Sequence, residues 1–252
     1  MPVPEIRPDS PDGPRTLGPL LLLRHGTRQA NVEGRVAGWQ DTPLAPAGEG
    51  DARRAADRIR SAGLVPDTVY ASRLTRALHT ASIVSTVLGI PADRVRTTWR
   101  LNERHAGAFE GLTRDQMTAR FGRDPVRSWK HGIDTPPIPM DRDDPRHPAN
   151  DPRYDDVPRE LLPSGESAAD VLARVLPFWT MEVHDDLVAG RTPLVVTHDR
   201  VIRVLIGHLV GAGDPPFEDG PGRVPWVVTL RADGVTLVSC TALGPVPSPP
   251  DG

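Results

Sequence analysis

A single cysteine, Cys240, excludes an intramolecular disulfide and a cysteine-built metal cluster. Lysine is equally scarce: beside 29 arginines the chain carries only Lys130. No apolar run approaches the roughly 18 residues needed to cross a bilayer, and the N-terminus lacks the basic-then-apolar pattern of a secretory signal. A formal net charge of -3 gives no overall basic surface for nucleic acid or anionic membranes. Together these absences predict a cytoplasmic protein with neither a nucleic-acid nor a membrane partner, and leave a homo-oligomer open. Its 252 residues are enough to bury the core of one large α/β domain.

Apolar runs alternate with helical periodicity. Leu20–Leu23 and Pro193–Thr197 read as short buried strands, as does Thr68–Ala71. Helical patterns cover Ala47–Ala62, Arg73–Leu88 (closed by Gly89), Glu166–Val188 (interrupted by Pro177) and Val201–Val210. Residues 113–131 suit two short helices broken at Pro125, and β-rich segments lie at 225–230 and 235–240. Residues 134–163 are proline-rich and aperiodic, the mark of a functional excursion or a mobile lid. The pattern predicts an α/β fold: a three-layer, doubly wound, mostly parallel sheet, with an excursion at about 103–165 over its C-terminal strand edge. A disordered extension over 1–18, a catalytic domain over 19–240 and a loose tail over 241–252 complete the expected organisation.

Two histidines stand where such sheets place ligands. Arg24-His25-Gly26 follows the first strand and His198 follows Pro193–Thr197. An arginine beside a strand-end histidine suits an anionic, transferable group, and phosphate pairs well with the planar guanidinium fork. His79, His147, His184 and His208 carry no such context and read as structural or solvent-facing, and the five tryptophans as core or pocket wall.

Further segments narrow the reading: Asn31, Gly38-Trp39, Leu44 to Gly48, Ser72 with Arg76-Ala77, Leu101-Asn102-Glu103-Arg104-His105, Trp129 to Pro139, Pro163 to Ser167, and Leu176-Pro177-Phe178-Trp179. In order over about residues 19–240 they resemble the histidine phosphatase superfamily, in its cofactor-dependent phosphoglycerate mutase branch. The resemblance implies a phosphohistidine at His25, a clamp of Arg24, Arg76 and His198, and Glu103 as general acid and base. It implies neutral donors from Asn31 and the backbone near Gly38, and substrate contacts from Arg104. No metal is implied, because the arginines stabilise the transferring charge.

The chain departs from the mutase pattern where the rest of the substrate is gripped. Ala37 stands for a small hydroxyl residue, Ala106 for tyrosine and Lys130-His131 for paired arginines. Asp199-Arg200 stands for glycine-asparagine, and Arg114 for lysine. Lost hydroxyls and an altered cation geometry predict a different substrate or pose. The expectation is phosphoryl transfer on a small phosphorylated metabolite, leaning to a phosphatase acting on something other than phosphoglycerate. A phosphoglycerate mutase primed by 2,3-bisphosphoglycerate is the alternative, and a phospho-ligand-binding homologue without ordinary turnover is the third. Hydrolysis needs no cofactor.

Overall fold

A computed structural model describes residues 17–28, 34–211, 225–230 and 237–243. Most of the N-terminal extension, Asn31 and the end of the tail lie outside these residues. Four strands, β1 (Leu20–Arg24), β2 (Thr68–Ser72), β3 (Val95–Thr98) and β4 (Pro193–Thr197), pair in parallel in the order β3-β2-β4-β1. Strands β5 (Trp226–Leu230) and β6 (Leu237–Ala242) extend the sheet antiparallel beyond β1. The expected α/β fold with a mostly parallel sheet is therefore the observed one. β6 runs through Ala242, past the residue 240 expected to end the core.

Each sheet face buries one set of alternating side chains. Leu21, Leu23, Val69, Ala71, Leu194 and Val196 meet α1 (Pro46–Ser61) and α2 (Thr75–Leu88). Leu20, Leu22, Tyr70 and Val195 face the opposite way, toward α5 (Ala168–Phe178), α6 (His184–Val188) and α7 (Asp199–Val210). The short β-strands are therefore covered on both sides, which fixes their register: a one-residue slip would turn every leucine to the wrong layer. Helix α2 ends where Gly89 adopts the left-handed conformation (φ 72°), and α7 ends the same way at Gly211.

Two boundaries differ from the sequence reading. The helices α3 (Arg114–Phe121) and α4 (Arg123–His131) part at Gly122, whose φ of 85° stops the first; Pro125 sits in the first turn of the second. There proline is harmless, because a first-turn N–H has no intrahelical acceptor. The long helix expected over Glu166–Val188 starts at Ala168 behind a Ser167–Asp170 capping box, and continues beyond Pro177 through a π-helical turn, Trp179–Val183. Glu166 is left outside it, buried.

The aperiodic excursion is tightly packed. Short 3-10 turns at Pro148–Asn150, Pro152–Tyr154 and Arg159–Leu161 carry His147, Tyr154, Val157 and Leu162 into the interior. Tyr154, Val157 and Leu162 pack with Trp39, Leu74 and Trp99. Among the described residues no helix is long and apolar enough to cross a membrane.

The loop after β1 crosses the first turn of α1 at backbone contact. A β-carbon on Gly26 would fall 2.2 Å from the Gly48 carbonyl oxygen, and one on Gly48 would fall 2.1 Å from that of Thr27. Neither backbone can yield without moving His25. Gly48→Ala is therefore expected to destabilise the fold by about 1–3 kcal/mol, the usual range for overpacking, read as a lowered midpoint in urea unfolding; an unchanged midpoint would contradict the close crossing.

Candidate active site

Strand pairing brings the two histidines together. Arg24 lies opposite Thr197 in the β1–β4 register, and the His25 backbone N–H donates to the Thr197 carbonyl at 2.9 Å. The His25 and His198 ring centroids lie 5.0 Å apart, the rings inclined at 60°, and both are buried. His25 Nδ1 lies 2.7 Å from the Gly26 carbonyl oxygen, which only accepts. The proton must sit on Nδ1, leaving Nε2 bare.

The neighbours of His25 keep it neutral. Burial first, then the charges of Arg76 and Arg24, hold its pKa well below 6.5. His198 is depressed in the same way by burial, Arg76 and His25. A buried imidazole among cations is expensive to protonate, so both rings keep an unprotonated nitrogen through neutral pH.

Arg76 is fully buried. Its Nη1 donates to the Gln40 carbonyl (2.9 Å) and its Nη2 to that of Gly38 (2.8 Å), so the guanidinium fastens the 38–40 loop to α2. Burial and the nearby Arg28 lower its pKa to about 10. Arg24 meets Asp199 at 3.5 Å, and Asp199 also accepts from Arg203 Nε at 3.0 Å. Asp199 is thus neutralised by two cations at the start of α7, where a negative charge is favourable.

Buried polar atoms that lack a partner gather here. Among the described residues, six buried side-chain nitrogen or oxygen atoms make no hydrogen bond. Three of them are Arg24 Nε, Arg76 Nε and His198 Nδ1, all in this site. Such atoms are rare in folded proteins, so their grouping marks a place built for an anionic ligand.

Glu103 is held by its backbone. Its carbonyl accepts from Trp39 Nε1 (2.5 Å) and Arg174 Nη2 (3.0 Å), while its carboxylate accepts from the Arg104 N–H (2.9 Å). Arg174 also donates to the carbonyls of Arg100 and Asn102 and pairs with buried Glu166, whose second oxygen accepts from the His105 N–H. Sequence reasoning missed Arg174 and the role of Glu166. They act through distant backbone carbonyls, which leave no spacing signal.

Among the rim candidates, Arg104 is buried, stacks 4.1 Å over the Trp129 ring and donates to the Trp129 carbonyl. Burial and the adjacent Arg200 lower its pKa to about 10. Arg200 reaches the Lys130 carbonyl at the end of α4 (3.5 Å). Lys130, His131 and Arg114 are exposed. Ala37 and Ala106 are not: they are 2% and 0% exposed, and the Ala106 methyl packs with Phe109, Met117, Val126 and Trp129. Gly38 has a φ of 50°, and a β-carbon there would strike the Glu110 carboxylate, which accepts from the Trp39 and Ala106 N–H groups. Asn31 lies outside the described residues.

Comparison with known proteins agrees with this geometry. Residues 20–222 match the family model of the histidine phosphatase superfamily (branch 1). A 2,3-bisphosphoglycerate-dependent phosphoglycerate mutase of Nitratidesulfovibrio vulgaris is 47% identical over 192 residues, covering 76% of this chain and 77% of that one. The enzyme of the same name from Thermobifida fusca is 42% identical, covering 85% and 87%. Among solved structures, a mycobacterial glucosyl-3-phosphoglycerate phosphatase superposes with a TM-score of 0.67 at 24% identity, covering 89% of this chain and 97% of its own. An α-ribazole phosphatase from Shigella flexneri superposes at 0.65 and 22% identity, covering 93% and 100%. At these identities the two structures establish the fold alone.

The buried titratable groups make stability depend on pH. His25 and His198 sit well below 6.5, and burial takes His105 to about 3. For each, the unfolded chain binds a proton that the fold refuses, so their contribution is full above 6.5 and is lost as pH falls. Glu110, raised to about 7 by burial, has the opposite sign. Each group contributes up to about 1.4 kcal/mol per pH unit, and three histidines outweigh one glutamate. Urea unfolding is expected to show stability falling from pH 6.5 to pH 5; a flat or rising profile would contradict the buried neutral histidines.

Proposed function

Because this chain belongs to the histidine phosphatase superfamily and is an enzyme of that kind, we propose that it transfers phosphoryl groups through His25 from a small phosphate monoester, with water as the main acceptor. In this reading the bare Nε2 of His25 attacks phosphorus while the oxygen of the leaving alkoxide takes a proton from Glu103. The phosphoryl group then rests on His25, and Glu103 removes a proton from the incoming water. Arg24 and Arg76 flank the three equatorial oxygens as fixed charge, the largest source of stabilisation in such transfers, and His198 joins them once its Nδ1 takes up a proton. The unpartnered Nε–H groups of Arg24 and Arg76 support this role.

The single observation that carries the preference for a substrate other than phosphoglycerate is the rim. The centre keeps its full complement of charged groups, while Ala37 and Ala106 offer no hydroxyl and Lys130-His131 replaces a pair of guanidinium forks. Each lost hydrogen bond weakens recognition by about 0.5–1.5 kcal/mol. Tyrosine at position 106 would also have to displace part of the Phe109–Trp129 packing.

A second reading, a mutase, is favoured by the identity to the two named bacterial relatives. Its primer, 2,3-bisphosphoglycerate, carries a second phosphate. Arg104, buried, and Arg200, half-buried, donate to the adjacent carbonyls of Trp129 and Lys130, and two neighbouring guanidinium groups are a donor set that suits another anion. The primer would supply the phosphoryl group that loads His25.

A phosphate-release panel of phosphomonoesters, run beside primed interconversion of 3- and 2-phosphoglycerate, separates the readings. Release from another metabolite without interconversion is expected; rapid interconversion with little release would favour the mutase. Glu103→Gln is expected to lower turnover of alkyl phosphates by about 10²–10⁴-fold, and that of p-nitrophenyl phosphate, whose leaving group needs no proton, far less. Equal losses on both would remove Glu103 from proton transfer.

A further inference from the structure

His198 is held by a chain of hydrogen bonds whose direction can be read from its far end. The Arg73 backbone N–H donates to Asn102 Oδ1 (3.0 Å), which identifies that atom as the carbonyl oxygen. Asn102 Nδ2 then donates to the Tyr154 hydroxyl (2.9 Å). Ser72 Oγ lies 2.9 Å from Asn102 Oδ1, an atom that can only accept, so the one hydroxyl proton of Ser72 points there. The same Oγ accepts from the Leu74 N–H (3.2 Å) and lies 2.8 Å from His198 Nε2. With its proton already given to Asn102, Ser72 can only accept from Nε2. His198 therefore carries its proton on Nε2 and keeps Nδ1 bare, buried and without a partner.

Ser72, Asn102 and His198 are each 0% exposed and Tyr154 is 2% exposed, so water does not compete for these bonds. The far end is anchored in the excursion. Tyr154 stacks on Trp39, with centroids 5.2 Å apart. Arg73 grips Asp156 with both Nη atoms (2.6 and 2.7 Å) and donates to the Arg153 carbonyl, while Arg153 pairs with Asp41. The segment around Tyr154 is thus clamped over the start of α2, beside Ser72.

We propose that Asn102 and Tyr154 are positioning residues for His198, acting through Ser72 to hold its proton on Nε2 and to present Nδ1 to the transferring phosphoryl group. Resting on the phosphoryl-transfer reading above, this makes the excursion part of the proton bookkeeping of the centre. The two histidines then have opposite tautomers: His25 is bare at Nε2 and His198 at Nδ1. A phosphoryl oxygen can be held by His198 only once a proton arrives on Nδ1. The charged and titratable groups that act on His198 are Arg76 from α2, His25 and Arg28 from the end of β1 and its loop, and Arg174 from α5. Removing Asn102 Oδ1 frees the Ser72 proton to turn toward Nε2, which moves the neutral imidazole proton to Nδ1.

Nitrogen-15 NMR of histidine-labelled protein at pH 7.5 tests this directly, with His198 assigned by difference from His198→Asn. The wild type is expected to show Nε2 protonated; a protonated Nδ1 would overturn the proposal. In Asn102→Leu the population is expected to shift toward Nδ1–H. Tyr154→Phe keeps the ring packing and is expected to shift the tautomer in the same direction by less, and serves if Asn102→Leu does not fold. An unchanged tautomer in both variants would leave Asn102 and Tyr154 as packing residues only. Because the NMR readout uses resting protein, absence of phosphoryl turnover would defeat the functional reading without touching it.

Discussion

Parallel pairing of β1 with β4, Arg24 opposite Thr197, is the constraint on which the site depends. Each strand ends in a histidine at the same edge of the sheet, so the pairing alone brings two side chains 173 positions apart in sequence (25 to 198) into ring contact at 5.0 Å. Burial of leucines and valines on both faces makes that register rigid. Two backbone carbonyls then finish the work. That of Thr197 fixes the His25 main chain, and that of Gly26 fixes its proton.

Around this pair the protein concentrates positive charge, and Arg24 has a carboxylate partner in Asp199. Arg76 donates to the 38–40 loop carbonyls through two nitrogens and keeps a third, Nε, unpartnered; Arg24 lies 3.5 Å from Asp199 through Nη1 and also keeps Nε unpartnered. Placing buried guanidinium groups beside neutral imidazoles is unfavourable in the resting protein. A transferring phosphoryl group, with charge on three oxygens, reverses that sign. In the proposed reading the site is thus preorganised for its ligand, and the Arg174–Glu166 pair ties the carbonyls of residues 100, 102 and 103 to α5.

Local chemistry was legible wherever it had a local signal. The short apolar runs predict β1 and β4, Gly89 predicts the end of α2, and Arg24-His25-Gly26 predicts an anion site at a strand end. Strand β3 went unseen because Val95-Arg96-Thr97-Thr98 lies at the sheet edge, half exposed, with no apolar alternation. The sequence pattern puts the break between α3 and α4 at Pro125, although the positive φ belongs to Gly122. The excursion read as patternless because it has no regular period. Its order comes from single side chains, Tyr154 and His147 among them, each bonded to a partner far away in sequence or through a capped 3-10 turn. The rim substitutions were visible as residue types, but the inward packing of Ala106 needed the fold.

A direct look at the nucleophile bears hardest on this picture. Phosphorus-31 NMR and peptide mass spectrometry of protein quenched in alkali during turnover of a hydrolysed phosphomonoester would locate the phosphoryl group. An acid-labile adduct on His25, bonded through Nε2 and missing from His25→Asn, is the expected result. Sustained turnover with no adduct on His25, or with turnover retained in His25→Asn, would contradict a phosphohistidine mechanism.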